Sequence, residues 1–348
     1  MNSIFTISLD FELHWGGFEK WPLNEAKKQY FLNTRKLIPQ LLDLFEQHEV
    51  HVSWATVGLL MHESKDQLKQ NFPELKPSYD QKHLSAYHFL ESVGIGENEQ
   101  EDPYHYADSL IKDIISRRGQ ELASHSFAHY YCNEKGQTLA QFDADCKAIT
   151  KASEKYEQKL RSLVFPRNQF NTAYLKVCYE NGIDIIRSNP VDWWWDISDG
   201  ALNESKWKRL NRGLDAYFNI GGKTSYSIDA IQQKEGVYLL PASRLLRPYN
   251  PKELFLNKKK INRIKKEMTI AAQKAEFYHL WWHPHNFGNH SEENLDGLRE
   301  ILTHFSFLQK EYGMKSLNMG EIAEKLEDGS ILQPKADLNH KGTKTQRN

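Results

Sequence analysis

The sequence predicts an α/β protein: a mainly parallel sheet closed, or nearly closed, into a TIM-barrel-like (β/α) barrel of about seven strands. Three observations carry that expectation. Short β-rich runs alternate with longer segments of helical period along most of the 348 residues. About seven strand–helix units suit a barrel better than an open sheet. Clusters of acidic, histidine and tryptophan residues come directly after predicted strands, where barrel chemistry collects.

The elements run in order along the chain. Residues 4–9 read as the first strand. Residues 30–47 read as a helix with Leu37, Ile38, Leu41, Leu42 and Phe45 on one face, and Pro39 should bend it or mark its first turn. Residues 51–57 are a strand. The stretch from Pro77 to Pro103 is polar and irregular and reads as an insertion over one face. A helix over 106–118 carries Leu110, Ile111, Ile114 and Ile115 and is stopped by Gly119. Residues 120–124 are a strand. Residues 138–160 are a helix in which Cys146 falls in phase with Leu139, Phe142 and Ile149. A strand over 162–165, a helix over 172–180 closed by Gly182, and strands over 184–187 and 237–240 come next. A helix over 252–274, a strand over 276–282 and a helix over 292–312 ended by Gly313 complete the alternation. No repeat is evident. Residues 1–327 are expected to form the catalytic domain, and the polar residues 328–348 a disordered tail.

The net charge of −1 gives no global field toward nucleic acid, and no nucleic-acid partner is expected. Lysines and arginines cluster between Lys252 and Lys274 at helical spacing among Leu254, Ile261, Ile264 and Met268. That pattern reads as a solvated helix face, with a polyanion or membrane-surface patch as the alternative. Three cysteines, Cys132, Cys146 and Cys178, argue against a disulfide framework and suit a reducing compartment. The first strand is too short for a signal peptide and ends in Asp10. No transmembrane span is apparent, so the expected location is cytoplasmic.

Five clusters carry the chemistry. The first is Asp10-Phe11-Glu12, with His14 and Trp15 just after it. Two carboxylates at a strand end can divide their labour: one ligates an ion, the other takes a proton from water. The second is His125 and His129, four apart, expected on one face of a helical turn so that both imidazoles reach one point. Two histidines and one carboxylate make a three-ligand site with positions left for water and substrate. Cys132 is out of phase with both. The third is Pro166-Arg167-Asn168-Gln169, where Arg167 could orient the catalytic carboxylate and Asn168 or Gln169 bind a sugar hydroxyl. The fourth is Asp192-Trp193-Trp194-Trp195. Extended, these rings cannot all face the core, so at least one is expected at the mouth, and Asp192 could buffer a catalytic histidine. The fifth ends a strand at His283-Pro284-His285. Either histidine could be the general acid. His279 and Trp281 alternate with Leu280 and Trp282, so one of those pairs only packs.

With these segments in view, the chain resembles the polysaccharide deacetylase family, the NodB-homology domains among the carbohydrate esterases, over about residues 4–326. The resemblance implies an irregular (β/α) barrel and a metal-dependent hydrolase of the carbon–nitrogen bond in N-acetylated sugars. It implies Asp10 as base, Glu12, His125 and His129 as ligands of one divalent ion, and His283 as the acid. Zinc is the expected ion, with cobalt, nickel or manganese as alternatives. The sequence departs from the family in separating its acidic pair by one position, with Glu second, and in the order Pro166-Arg167. Arg167 and Asp192 are the expected supports of the catalytic groups. Trp15, Tyr130, Asn168, Trp193, Trp194 and His285 are the expected substrate contacts. A cytoplasmic member would act on a lipid-linked or nucleotide-linked sugar during surface-polysaccharide assembly. The rival expectations are a deformylase or other amidohydrolase on the same scaffold, and a catalytically silent glycan-binding protein.

Overall fold

The computed structural model describes residues 2–169, 171–195, 205–218, 220–222 and 224–332. Its strands are β1 (Ile4–Phe11), β2 (Val52–Thr56), β3 (Gln120–Ser124), β4 (Ser162–Val164), β5 (Ile185–Ser188), β6 (Gln232–Lys234), β7 (Val237–Pro241), β8 (Arg244–Leu245), β9 (Phe277–Trp282) and β10 (Lys315–Ser316). Its helices are α1 (Glu25–Gln47), α2 (Lys65–Gln70), α3 (Ala86–Ser92), α4 (Asp108–Ser116), α5 (Leu139–Ser153), α6 (Leu175–Glu180), α7 (Lys206–Asp215), α8 (Leu254–Lys274), α9 (Ser291–Tyr312) and α10 (Met319–Glu327).

The sheet runs β6-β7-β5-β4-β3-β2-β1-β9-β8, with β10 beside the start of β1. The seven strands expected from the sequence are its contiguous centre, all parallel. Among the described residues no ladder joins β7 to β9. The chain instead bends between them. Ala242 donates to Ser188 O (3.0 Å) on the β5 side, and Ser243 donates to His279 O (2.8 Å) on the β9 side. The sheet therefore curls into a barrel-like form whose seam is this bent segment.

Every residue of β1 is buried, as a strand covered on both faces requires. The two faces differ in chemistry. Phe5, Ile7, Leu9 and Phe11 join the large core against the helices. Alternate residues Ser8 and Asp10 face inward, where Ser8 Oγ meets His279 Nε2 (2.8 Å) from β9. Parity settles the β9 ambiguity. His279 and Trp281 pair with Thr6 and Ser8 on the inner face, while Leu280 and Trp282 pack outward. The lower end of the inner face is apolar and is capped by Met319, Ile322 and Ala323 of α10, packed with Ile4, Ile185 and Phe277.

Several boundaries differ from expectation for physical reasons. α1 starts earlier because Asn24 caps it, accepting from Lys27 N (3.0 Å). Pro39 lies inside it. Thr138 and Gln141 form a capping box that starts α5, and α5 ends at Ser153, before the expected residue 160. In α5 Phe142, Cys146 and Ile149 are buried, whereas Leu139 in the first turn is exposed. The 77–103 stretch contains α3, and its Tyr79 is buried with its hydroxyl accepting from Tyr131 N (2.8 Å). It is part of the packed structure. Of the expected tail, residues 330–332 form a short 3-10 helix with Ile331 buried, and 333–348 lie outside the described residues. No helix among the described residues is long and apolar enough to cross a membrane.

Candidate metal centre

The histidine pair does not sit on a helical turn. β3 ends at Ser124, and residues 125–130 form a loop with left-handed backbone at Ser126 (φ 60°) and His129 (φ 54°). Non-glycine residues adopt that region at a cost, so the surroundings must hold them there. They do. The buried Asp145 carboxyl group of α5 accepts from Phe127 N (2.6 Å) and Ala128 N (3.0 Å). Ser126 Oγ accepts from Tyr130 N (2.6 Å). The folded loop brings both imidazoles to one carboxylate: Glu12 Oε2 lies 3.0 Å from His129 Nε2 and 3.2 Å from His125 Nε2. Glu12, His125 and His129 are all buried, with one donor atom each inside a 4.8 Å span.

Four features suit these groups to a divalent cation. Neighbouring ligand atoms of a tetrahedral site with bonds of about 2.1 Å stand roughly 3.4 Å apart, close to what is found. His125 Nε2 is buried without an aligned hydrogen-bond partner, while its Nδ1 is held by Val164 O (2.8 Å). His129 Nδ1 meets the Tyr131 hydroxyl (2.9 Å), which leaves Nε2 for the ion. Burial raises the Glu12 carboxyl, but the nearby imidazoles of His283, His125 and His129 more than offset it and hold the group well below the usual carboxylate range. Gly16 is also required. A Cβ there would fall on the Glu12 carboxylate.

Asp10 points to the same space from the inner face of β1. Its partner is Arg187, not Arg167. The Arg187 guanidinium donates to Asp10 Oδ1 (2.6 Å) and Oδ2 (2.8 Å), to Ser8 Oγ (3.1 Å) and to Asn168 Oδ1 (2.9 Å). It stacks over the Trp281 ring at 4.3 Å. Burial raises Asp10, and the Arg187 charge reverses the direction, so the group is held below its usual range. Arg167, with left-handed backbone (φ 54°), pairs instead with the buried Glu19 and covers the Tyr131 ring at 4.1 Å.

Two histidines come after β9. His283 Nε2 is 3.6 Å from Asp10 Oδ2 and 3.6 Å from Glu12 Oε1, with a side chain 27% exposed. His285 is buried against Trp21, Tyr30 and Phe31, with Nδ1 3.9 Å from Glu12 Oε1. Burial lowers His285 to about 3, so it is neutral.

A solved structure of a polysaccharide deacetylase candidate from Mycobacterium smegmatis superposes with a TM-score of 0.59 at 13% identity, covering 94% of this chain and 91% of that one. A second deacetylase candidate, from Pseudomonas aeruginosa PAO1, gives 0.56 at 10% identity over 95% and 92%. The fold is that of the polysaccharide deacetylases. The PuuE allantoinase shares it with a TM-score of 0.54 at 10% identity over 93% and 90%. No family model matches the chain, and no curated protein matches it by sequence.

On this deacetylase-type fold, the remaining expected residues divide. Asn168 reaches the site through Arg187. Trp15 is buried, its indole donating to His105 O (3.0 Å). Tyr130 is buried with its hydroxyl on Gln137 Oε1 (2.8 Å) and Thr138 O (2.9 Å). Neither lies at the mouth. Trp194 is buried, and the Trp193 side chain lies outside the described residues. Of the two tryptophans of this triplet with described side chains, Trp195 is the one that reaches toward the site, 6.1 Å from the Trp281 ring. Asp192 does not buffer His283; it faces Gly221 and the charges of Asp215, Arg244 and Arg263, and burial raises it. His14 is tied to His105 Nε2 (2.8 Å), whose other nitrogen is held by Asp102 (2.8 Å), and this anchors the residue-14 loop to the end of the 77–103 stretch.

Proposed function

We propose that the protein is a metal-dependent hydrolase that removes an N-acetyl group from an amino sugar. The observation that carries this reading is the convergence of Glu12, His125 and His129 beside an Asp10 kept ionised by Arg187. Glu12, His125 and His129 would hold a divalent cation, zinc first among cobalt, nickel and manganese. When bound, such an ion supplies Lewis acidity to an acyl carbonyl and acidifies a water molecule. Asp10 takes the proton of the attacking water on a carboxylate oxygen. Arg187 keeps that carboxylate in place and charged. His283, the more exposed histidine of the pair, gives a proton to the departing amine nitrogen. His285, neutral and buried, orients the wall beside Glu12 rather than exchanging protons.

The substrate reading extends to a sugar carried on a lipid or a nucleotide, in surface-polysaccharide assembly within the cytoplasm. A ureide or other non-sugar amide is the second reading, favoured by the fold shared with an allantoinase. The test is metal content and acetate release from N-acetylated oligosaccharides, measured on wild type and on His125→Ala/His129→Ala. About one ion per chain, lost in the variant together with acetate release, is the expected result. Metal without acetate release moves the assignment to other N-acyl substrates. A wild type that stays metal-free after reconstitution sinks it.

A further inference from the structure

Exposed apolar side chains are unevenly placed on this protein. α7 carries Trp207, Leu210 and Leu214 at helical spacing along one outward stripe, with Trp207 70% exposed. Phe218 continues the stripe past the helix end. Leu254 and Phe255, 67% and 77% exposed, open α8. These side chains belong to one surface. Lys259 Nζ lies 3.7 Å from the centre of the Phe218 ring, and the Tyr217 hydroxyl donates to Glu253 Oε2 (2.9 Å). Arg263 donates to Phe218 O from the next turn of α8.

A monomer gains nothing by showing water three aromatic rings and a leucine stripe. The charges around them identify what would cover them. Lys206, Lys252 and Lys258 are exposed beside the apolar residues, and Lys259 stands among them. Apolar rings set in lysines, on a helix lying flat on the surface, match the interface of an anionic bilayer.

The inner face of α7, opposite this stripe, leads toward the metal centre. Arg212 of α7 stacks over Trp195 at 5.1 Å, Trp195 meets Trp281 at 6.1 Å, and Trp281 meets His283 at 5.9 Å. We propose that α7 and the first turn of α8 dock the protein on an anionic lipid surface, which brings the protein to a substrate anchored in that surface. The docking stands on its own; the lipid-carried sugar rests on the deacetylase reading.

The full chain is sedimented with vesicles of phosphatidylcholine alone and of phosphatidylcholine with phosphatidylglycerol. Binding to the anionic vesicles only, weakening as salt rises, is expected. Trp207→Ser/Phe255→Ser should lower the apparent affinity at least about tenfold with an unchanged circular dichroism spectrum, and Lys252→Glu/Lys258→Glu should do the same. Failure to bind anionic vesicles, or undiminished binding by Trp207→Ser/Phe255→Ser, overturns the proposal. A wild-type dimer that this variant converts to a monomer assigns the surface to a second copy and overturns it equally. Acetate release from a soluble oligosaccharide, run in parallel, tests the chemistry separately: its absence sinks the deacetylase reading and leaves the vesicle result standing.

Discussion

Burial alone would raise the Asp10 carboxyl, and the two-nitrogen contact from Arg187 more than reverses it. Arg187→Met removes that contact and leaves a buried carboxylate unpaired. The expected cost is about 3–5 kcal/mol of stability by chemical denaturation. The Asp10 pKa should rise, and the acidic limb of the kcat/KM profile should move to higher pH; a limb that stays put would remove Asp10 as the base. Tyr131→Phe tests the hold on His129 Nδ1. Zinc affinity, read by chelator competition, should fall about 10–100-fold with the fold intact; an unchanged affinity would make the hydroxyl a packing group only. The three residues of the candidate metal centre were legible because their spacing is local: an HxxxH pair and an acidic pair at a strand end. Arg187 was not. In sequence it looks like the polar end of a short strand, and only inner-face parity across the sheet sets it opposite Asp10. Arg167 follows a predicted strand just as Arg187 ends one, and that placement says nothing about the direction its side chain takes.

The loop after β3 shows how an element can be misread when its ends are read correctly. The four-residue spacing fits a helical turn, yet the same convergence arises here from left-handed backbone at Ser126 and His129. The loop is held by Asp145, a residue of α5 with no local signal, since an acidic residue on an amphipathic helix ordinarily faces water. Asp145→Asn puts an amide N–H against a backbone N–H and should cost about 1–3 kcal/mol. Burial pushes the Asp145 carboxyl up to about 7, above its ordinary value. Its protonated form is therefore favoured by folding. The stability this gives is complete below about pH 4 and is lost as pH rises through about 7. Urea midpoints of wild type and Asp145→Asn should accordingly converge as pH rises across that window. A gap that widens would show that the carboxylate form holds the loop.

At the scale of the whole molecule, a cation bound to the folded chain alone stabilises it by mass action, about 4 kcal/mol at a thousand times the Kd. Zinc should raise the Tm of the chelator-treated wild type by several degrees and leave His125→Ala/His129→Ala unmoved. Equal shifts in both proteins would place the ion elsewhere. The seven parallel strands were legible because each is an apolar run bounded by turn residues. The seam and the α10 cap were not. β6 and β8 are too short to carry a period, and α10, although opened by an Asn318/Glu321 capping box, is only nine residues long and comes shortly after a helix terminator. Shape comparison reaches the deacetylase fold where sequence identity is only 10–13%, since packing of inner and outer faces tolerates wide substitution.

Gly16 leaves no room beside the Glu12 carboxylate for even a methyl group. Positions 12 and 16 are therefore sterically coupled: any side chain at 16 must first displace the glutamate, so a substitution there acts on the candidate metal centre although residue 16 offers it no donor atom.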